Sequence, residues 1–125
     1  MIMRKTTKIL LGLVLIGIVN PITANASSYW SKVNNNWTYI ENGVKKTGWI
    51  KDNSKWYYLD NSGAKRTGWQ LVGGEWYYLD SAGVMKTGWL KDLDGKWYYL
   101  KANGVMARNE TIDGYRLGSN GAWII

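Results

Sequence analysis

Residues 55–69 read KWYYLDNSGAKRTGW, and closely similar stretches occur three more times in the chain. The first tryptophan of the stretch recurs at intervals of 19, 20 and 21 residues, at Trp37, Trp56, Trp76 and Trp97. The closing Gly-Trp pair recurs at intervals of 20 residues, with its tryptophan at Trp49, Trp69 and Trp89. A period this short is typical of one small supersecondary unit that stacks on copies of itself.

Each copy has the composition of a β-hairpin. The aromatic run Trp-Tyr-Tyr-Leu is typical of a strand. A glycine follows shortly after it, as at Gly63, and glycine readily takes the positive φ of a tight turn. We therefore expect residues 64–69 to form the return strand of the hairpin. The six or seven residues that then lead to the next tryptophan are expected to be a loop.

The repeats predict an all-β fold, a solenoid of about five stacked hairpins, because a single hairpin of this size is not stable alone in water. One repeat module is expected over residues 27–125, with units at about 30–49, 50–69, 70–89, 90–109 and 110–125. The last unit departs from the pattern, since Trp123 stands where the earlier units have Met85 and Met106. Such a departure is typical of a terminal repeat that caps a stack.

Residues 1–26 have the three parts of a secretory signal peptide. Arg4, Lys5 and Lys8 form a basic region, an apolar run of 11 residues follows, and Ala24-Asn25-Ala26 is an A-x-A cleavage site. The apolar run is well short of the roughly 20 residues that span a bilayer, which argues against a retained membrane anchor. Cleavage after Ala26 would leave 99 residues without a transmembrane segment and would lower the net charge from +7 to +4.

The chain contains no histidine and no cysteine. This composition excludes Ser-His and Cys-His nucleophile pairs, ordinary zinc sites and disulfides. A carboxylate pair such as Asp92 and Asp94 is formally available, but both residues fall in a turn of the repeat and we interpret them as solvated loop residues. The remaining basic excess is spread over the repeats, which does not favour nucleic-acid binding. We therefore predict no catalytic residue, no metal site and no cofactor.

The aromatic residues are 9 tryptophans and 9 tyrosines, with no phenylalanine. Both types carry a polar edge, which suits rings that remain half exposed on a binding surface. Strand alternation places Trp56 and Tyr58 on one face and Tyr57 on the other. Trp49 and Trp56 flank a short segment and can form two walls of a groove. Several ring faces around one point suit a quaternary ammonium, although the rings could instead serve only as a hydrophobic core.

The pattern TGWxxxxGxWYYLxxxGxMxTGW, which runs here from Thr67 to Trp89, closely resembles the choline-binding repeat of Gram-positive surface proteins. The resemblance covers essentially all of residues 27–125. It implies a β-solenoid of hairpins that holds choline at the junctions between them. Each site of that family takes the tryptophan of Gly-Trp, the first tryptophan of the next Trp-Tyr-Tyr and the last tyrosine of the following one, often with a methionine nearby.

Carried over by position, the resemblance implies two good choline sites and at most two weaker ones. The two good sites comprise Trp49, Trp56, Tyr78 and Met85, and Trp69, Trp76, Tyr99 and Met106. The first weaker site comprises Trp30, Trp37 and Tyr58, where Lys65 replaces the methionine. The second contains Trp89 and Trp97, but Arg116 stands in the tyrosine register and should repel choline, while Trp123 either compensates or plugs the end.

The resemblance predicts a secreted, non-catalytic protein, attached non-covalently to the bacterial cell wall through choline or phosphocholine of teichoic or lipoteichoic acid. Related repeats occur in glucan-binding domains and clostridial toxins, so glucan binding is one alternative. A surface adhesin with an unknown host or bacterial protein partner, anchored by choline, is another. A wall hydrolase is disfavoured because repeats fill the 99 residues. Choline that fills half-empty grooves would also allow a choline-linked dimer.

Overall fold

The computed structural model describes residues 27–125, and the regular structure in this range consists of β-strands. The predicted signal peptide, residues 1–26, lies outside the described residues. Within the described part of the chain, no helix could cross a membrane. The strands are β1 (Ser28–Val33), β2 (Asn36–Glu41), β3 (Val44–Lys45), β4 (Gly48–Asp52), β5 (Lys55–Leu59), β6 (Gly68–Val72), β7 (Glu75–Leu79), β8 (Gly88–Lys91), β9 (Trp97–Leu100), β10 (Glu110–Ile112) and β11 (Tyr115–Leu117).

The strands form five antiparallel hairpins, one in each of five small sheets. β1 pairs with β2, β4 with β5, β6 with β7, β8 with β9, and β10 with β11. The short strand β3 adds a third member to the first sheet. The predicted all-β class and the predicted number of hairpins are therefore confirmed over residues 27–125.

In the first unit β2 pairs with β3 as expected, but in the later units the strands that pair differ from those expected. β4 pairs with β5, so Trp49 is joined to the Trp-Tyr-Tyr run that follows it rather than to the one before it. The segment between them, expected to be a loop, contains a two-residue turn at Asn53 and Ser54 with φ of 49° and 67°. Two positive φ values match the right-handed twist of the paired strands, which is why this turn closes the hairpin. The predicted boundary between residues 69 and 70 consequently falls inside β6.

The prediction that residues 64–69 form the return strand of this hairpin is wrong. Their pairing with β5 is limited to one bridge between Leu59 and Lys65. The backbone amide of Lys65 donates instead to the carbonyl oxygen of Trp37, in the preceding hairpin, at 2.8 Å. The same bond recurs at three further junctions, from Met85 to Trp56, from Met106 to Trp76 and from Trp123 to Trp97, at 2.8–2.9 Å. The segment after each hairpin therefore links it to the hairpin before it.

The core between the hairpins is a series of leucines, one from each of the last four units. They are fully buried, and they are Leu59, Leu79, Leu100 and Leu117. Close approach of the units depends on the turn glycines. Gly83 has a φ of 88°, and Cδ of Lys65 lies 2.8 Å from the position that a Cβ on Gly83 would occupy. A side chain from one connecting segment thus passes directly over the turn of the next.

Candidate functional site

Four clefts of aromatic side chains lie between successive hairpins. Each contains two tryptophans from one hairpin, a tyrosine from the next hairpin and one side chain from the connecting segment that follows. The first cleft comprises Trp30, Trp37, Tyr57 and Lys65; the second, Trp49, Trp56, Tyr77 and Met85; the third, Trp69, Trp76, Tyr98 and Met106; and the fourth, Trp89, Trp97, Tyr115 and Trp123. All nine tryptophans of the chain lie in these clefts.

The second cleft shows how the hairpins build the site. Trp49 in β4 and Trp56 in β5 present their rings 6.5 Å apart with planes at 84°. Tyr77 of the next hairpin packs edge-on against Trp49 at 4.9 Å. Met85 completes a cleft of about 370 Å³. The two tryptophans line the same space with their planes nearly perpendicular, so a cation in the cleft meets aromatic rings from two directions.

The tyrosine in this cleft is Tyr77 and not Tyr78, which was expected with Trp49 and Trp56. Tyr78 is the cross-strand partner of Trp69 and packs against that ring at 5.2 Å. Adjacent strand residues point to opposite faces, so Tyr77 faces the preceding hairpin while Tyr78 shares a face with Trp69. The expected grouping is therefore displaced by one residue, whereas Trp49, Trp56 and Met85 come together as expected.

The third cleft repeats this arrangement with a more polar lining. Trp69 and Trp76 lie 6.5 Å apart, and Tyr98 packs against Trp69 at 5.1 Å. Tyr99, expected here, instead packs against Trp89 at 5.0 Å. Met106 lies in the cleft as expected, and the remaining lining residues of its volume of about 410 Å³ are Asp92, Arg108, Ser119 and Asn120.

The fourth cleft is lined by four aromatic rings and is the smallest of the three measured, at about 290 Å³. Tyr115 packs against Trp89 at 5.6 Å and against Trp123 at 5.0 Å. The concern that Arg116 would occupy the tyrosine position does not apply, because the same one-residue displacement puts Tyr115 there. Trp123, whose role the sequence left open, forms a wall of the cleft in the position of Met85 and Met106.

The first cleft holds a cation of the protein itself. The ammonium nitrogen of Lys65 lies 5.1 Å from the ring centre of Trp30, 5.7 Å from that of Trp37 and 5.8 Å from that of Tyr57. Tyr58, expected in this cleft, instead packs against Trp49 at 5.0 Å. Burial lowers the pKa of Lys65, and the charge of Asp80 opposes this shift.

Aspartates fix the tryptophan rings at three of the four clefts. The indole nitrogens of Trp30, Trp69 and Trp89 donate to the carboxylates of Asp52, Asp92 and Asp113, at 3.1, 2.7 and 3.2 Å. Val72 ends β6 as Asp52 ends β4, so the residue in the corresponding register for Trp49 is a valine. The interpretation of Asp92 as a solvated loop residue is therefore wrong, because its carboxylate holds the Trp69 ring. The recurrence of aspartate three residues after the closing tryptophan was the available signal.

Asp94 has a different role from the one expected. Its carboxylate accepts a hydrogen bond from the hydroxyl of Tyr98 at 2.7 Å, which orients a ring of the third cleft. Burial and this hydrogen bond raise the pKa of Tyr98 to about 12. Hydrogen bonds from the Lys96 amide and from Tyr98 lower the pKa of Asp94. Among residues 27–125 no group of three or more acidic side chains is placed to hold a metal ion.

Comparisons with known proteins agree with this geometry. The sequence model described as a choline-binding repeat matches residues 66–110, and that described as a putative cell wall binding repeat matches residues 47–65. No curated protein sequence matches the chain.

Many solved structures are similar to the chain. Choline binding protein F from Streptococcus pneumoniae, crystallised in the presence of a peptidoglycan analogue, is 46% identical with a TM-score of 0.74 over 79% of this chain and 34% of that chain. The Cpl-1 endolysin complexed with a peptidoglycan analogue is 43% identical with a TM-score of 0.55 over 77% of this chain and 30% of that one. This chain thus spans about a third of each.

The choline binding domain of Spr1274 from Streptococcus pneumoniae is matched over nearly its whole length. It is 46% identical with a TM-score of 0.60, and the match covers 64% of this chain and 96% of that domain. The repeated clefts, the two matching sequence models and this identity over a complete domain establish that the chain belongs to the choline-binding repeat family.

Proposed function

We propose that this protein is exported and binds phosphocholine groups of teichoic or lipoteichoic acid through its second, third and fourth clefts, which would hold it non-covalently on a Gram-positive cell wall. Choline and cell-wall binding follow from the family. Export rests on the signal-peptide pattern of residues 1–26. The absence of histidine and cysteine supports a purely binding role.

The fourth cleft carries this proposal. Its lining residues are the four rings Trp89, Trp97, Tyr115 and Trp123. The charged groups beside these rings are the Asp113 carboxylate, which accepts the Trp89 indole hydrogen, and the Lys91 ammonium, 6.0 Å from the Trp97 ring centre. A quaternary ammonium needs no hydrogen-bond partner and is attracted to ring faces. A sugar would leave its hydroxyl groups unpaired against these rings, which is unfavourable. The cleft therefore favours a trimethylammonium group over a carbohydrate.

Exposure of the tryptophans also favours binding over a purely structural role. Trp37, Trp56, Trp76 and Trp97 remain 36–41% exposed, whereas the leucines beside them are fully buried. A chain that used these rings only as core would bury them. Their uniform partial exposure supports a repeated surface site.

The four backbone bonds between hairpins and the buried leucines support a continuous solenoid, with one cleft at each junction. Each cation–π contact contributes roughly 0.5–2 kcal/mol, so three rings would give a dissociation constant of about 1 mM. Simultaneous binding of several clefts to one polymer would add about two to four orders of magnitude. A polymer with many choline groups is thus a suitable ligand for this series of weak sites.

The third cleft supports phosphocholine in particular. The guanidinium of Arg108 lines it and lies 3.6 Å from the carboxylate of Glu75, which limits the positions that the side chain takes. A guanidinium beside an aromatic cage can pair with the phosphate of a ligand whose ammonium lies between the rings. Free choline would gain nothing from Arg108.

The test is a titration of the purified protein with choline, followed by tryptophan fluorescence. The control ligand is 3,3-dimethyl-1-butanol, which has the shape of choline but no charge. We expect saturable quenching or enhancement with choline and none with the neutral alcohol at the same concentration. Equal responses to both ligands would show that the clefts recognise shape and apolar surface, and would contradict the proposal.

Glucan binding is the second candidate, favoured by the polar groups of the third cleft. Asp92, Ser119 and Asn120 could form hydrogen bonds with sugar hydroxyls while the sugar ring stacks on Trp76. Retention on a dextran matrix that choline does not reverse would support this alternative. Release from a quaternary-amine matrix by about 10 mM choline, roughly ten times the expected dissociation constant, would support choline binding.

A further inference from the structure

Lys65 occupies the position that uncharged side chains occupy in the other three clefts. Its backbone amide makes the same bond to the preceding hairpin as those of Met85, Met106 and Trp123. Its side chain, however, ends in an ammonium group that lies within 6 Å of three ring centres. This is the distance within which a cation is attracted to an aromatic face.

We infer that Lys65 is a specificity-determining residue: its ammonium is an internal ligand that fills the cage of Trp30, Trp37 and Tyr57 and closes the first cleft to external choline. The inference rests on the proposed function for the other three clefts. It adds that the number of choline sites is smaller than the number of aromatic clefts.

The position of the ammonium is fixed by the stem of the same side chain. Cγ and Cδ of Lys65 lie 3.1 and 2.8 Å from the position that a Cβ on Gly83 would occupy. The stem therefore packs over the turn of the next unit, in the same way that Met85 packs over Gly104. This packing directs the chain end toward the rings rather than toward solvent.

Competition at this cleft favours the lysine. A ligand attached to the protein acts at an effective concentration of roughly millimolar or above, which is comparable to the dissociation constant expected for one choline. An incoming trimethylammonium would also meet a like charge inside a partly desolvated cage, where charges interact more strongly than in water. Choline would have to displace the lysine and desolvate itself for the same rings.

Lys45 provides a matched control within the chain. It pairs with Ile40 as Lys65 pairs with Leu59, and its stem packs over Gly63 as that of Lys65 packs over Gly83. Lys45 belongs to the unit that begins with β1, the first strand that the structure describes. Its side chain is exposed. Replacement of Lys45 by methionine therefore makes the same chemical change at the same register, outside the cage.

The experiment compares the wild type with Lys65→Met and Lys45→Met by isothermal titration with choline. Methionine occurs at this register in the next two units, so the fold is expected to accept it. We expect three choline sites in the wild type and in Lys45→Met, and four in Lys65→Met. Four sites in the wild type, or no additional site in a folded Lys65→Met variant, would overturn the inference.

A second measurement does not depend on choline. Protons on the ε carbon of Lys65 should resonate upfield of those of Lys45 in the ligand-free protein, because ring currents act on a group held over aromatic faces. Loss of the resonance in Lys65→Met assigns it. An unshifted Lys65 resonance would overturn the inference even if choline binds elsewhere. If choline binds to none of the three proteins, the proposed function fails, while a shifted resonance still supports the internal ligand.

Discussion

The ring of Trp49 lies 4.9 Å from the ring of Tyr77, which belongs to the next hairpin, and 6.5 Å from that of Trp56 in its own hairpin. No hairpin therefore holds all the walls of a cleft. A ligand that contacts these three rings joins two units, so binding and the stacking of hairpins stabilise each other.

The first prediction concerns Tyr77. Tyr77→Ala should remove one ring face from the second cleft and weaken choline binding there by about 2- to 30-fold, the equivalent of one contact of roughly 0.5–2 kcal/mol. Titration calorimetry should show two sites that retain their affinity and one that is weakened.

The matched control is Tyr57→Ala, which removes the equivalent tyrosine from the cleft that holds Lys65. It should leave the three choline sites unchanged. If Tyr57→Ala and Tyr77→Ala weakened the same number of sites, the difference between the first and second clefts would be refuted.

Much of this site follows from the sequence. The short segment between Trp49 and Trp56 identifies them as walls of one groove, strand alternation separates Tyr57 from Tyr58, and the family resemblance adds Met85. The family resemblance implies Tyr78 rather than Tyr77, and alternation alone does not say which face of a strand meets the preceding unit. The choice depends on tertiary packing, in which Tyr78 is already the cross-strand partner of Trp69.

The pairing within hairpins was ambiguous for a similar reason. Each repeat contains two segments able to form tight turns, one at Asn53 and Ser54 and one at Gly63, and both contain residues with positive φ. Local preference cannot decide which turn closes a ladder and which leads to a neighbouring unit. The bond from Lys65 to Trp37 decides it, and that bond spans 28 residues of sequence.

A second prediction concerns the aspartates behind the tryptophans. Asp92→Val removes the acceptor that holds Trp69 at 2.7 Å and removes a negative charge from the lining of the third cleft. Since Asp92 is partly exposed to water, we expect choline affinity at that cleft to fall by only about two- to fivefold.

The reciprocal substitution is Val72→Asp, which would give Trp49 the partner that the other closing tryptophans have. Choline affinity at the second cleft should rise by a similar factor, and the gain should shrink as salt is added. An increase that persisted unchanged in high salt would exclude an electrostatic origin.

A third prediction concerns the pH dependence of stability. The pKa of Tyr98 is raised to about 12 by burial and by its hydrogen bond to Asp94. A tyrosine in the unfolded chain titrates near 10. Between these values the unfolded state loses the proton first, so the contribution of Tyr98 to stability is complete below about pH 10 and declines as the pH rises toward 12.

This contribution is isolated by comparison with Tyr98→Phe, which cannot titrate at this position. The free energy of unfolding in urea should fall more steeply for the wild type than for the variant between pH 10 and about 12. Parallel curves would mean that Tyr98 titrates alike in the folded and unfolded chains. In Asp94→Asn, loss of the negative charge should move the Tyr98 titration to lower pH.

The last prediction links the leucine core to the clefts. Leu79 is fully buried between hairpins, and Leu79→Ala should lower the free energy of unfolding by about 2–5 kcal/mol. Leu71→Ala is the control, because Leu71 is 57% exposed and its loss should cost little. Choline at about 100 times its dissociation constant should restore roughly 2.7 kcal/mol for each site that binds only the folded chain. The measurement is thermal unfolding with and without choline. If ligand and core stabilise the same stack, choline raises the unfolding midpoint of Leu79→Ala as well as that of the wild type. A variant that regains its fold without regaining choline-dependent stability would show that Leu79 also positions the rings of the cleft.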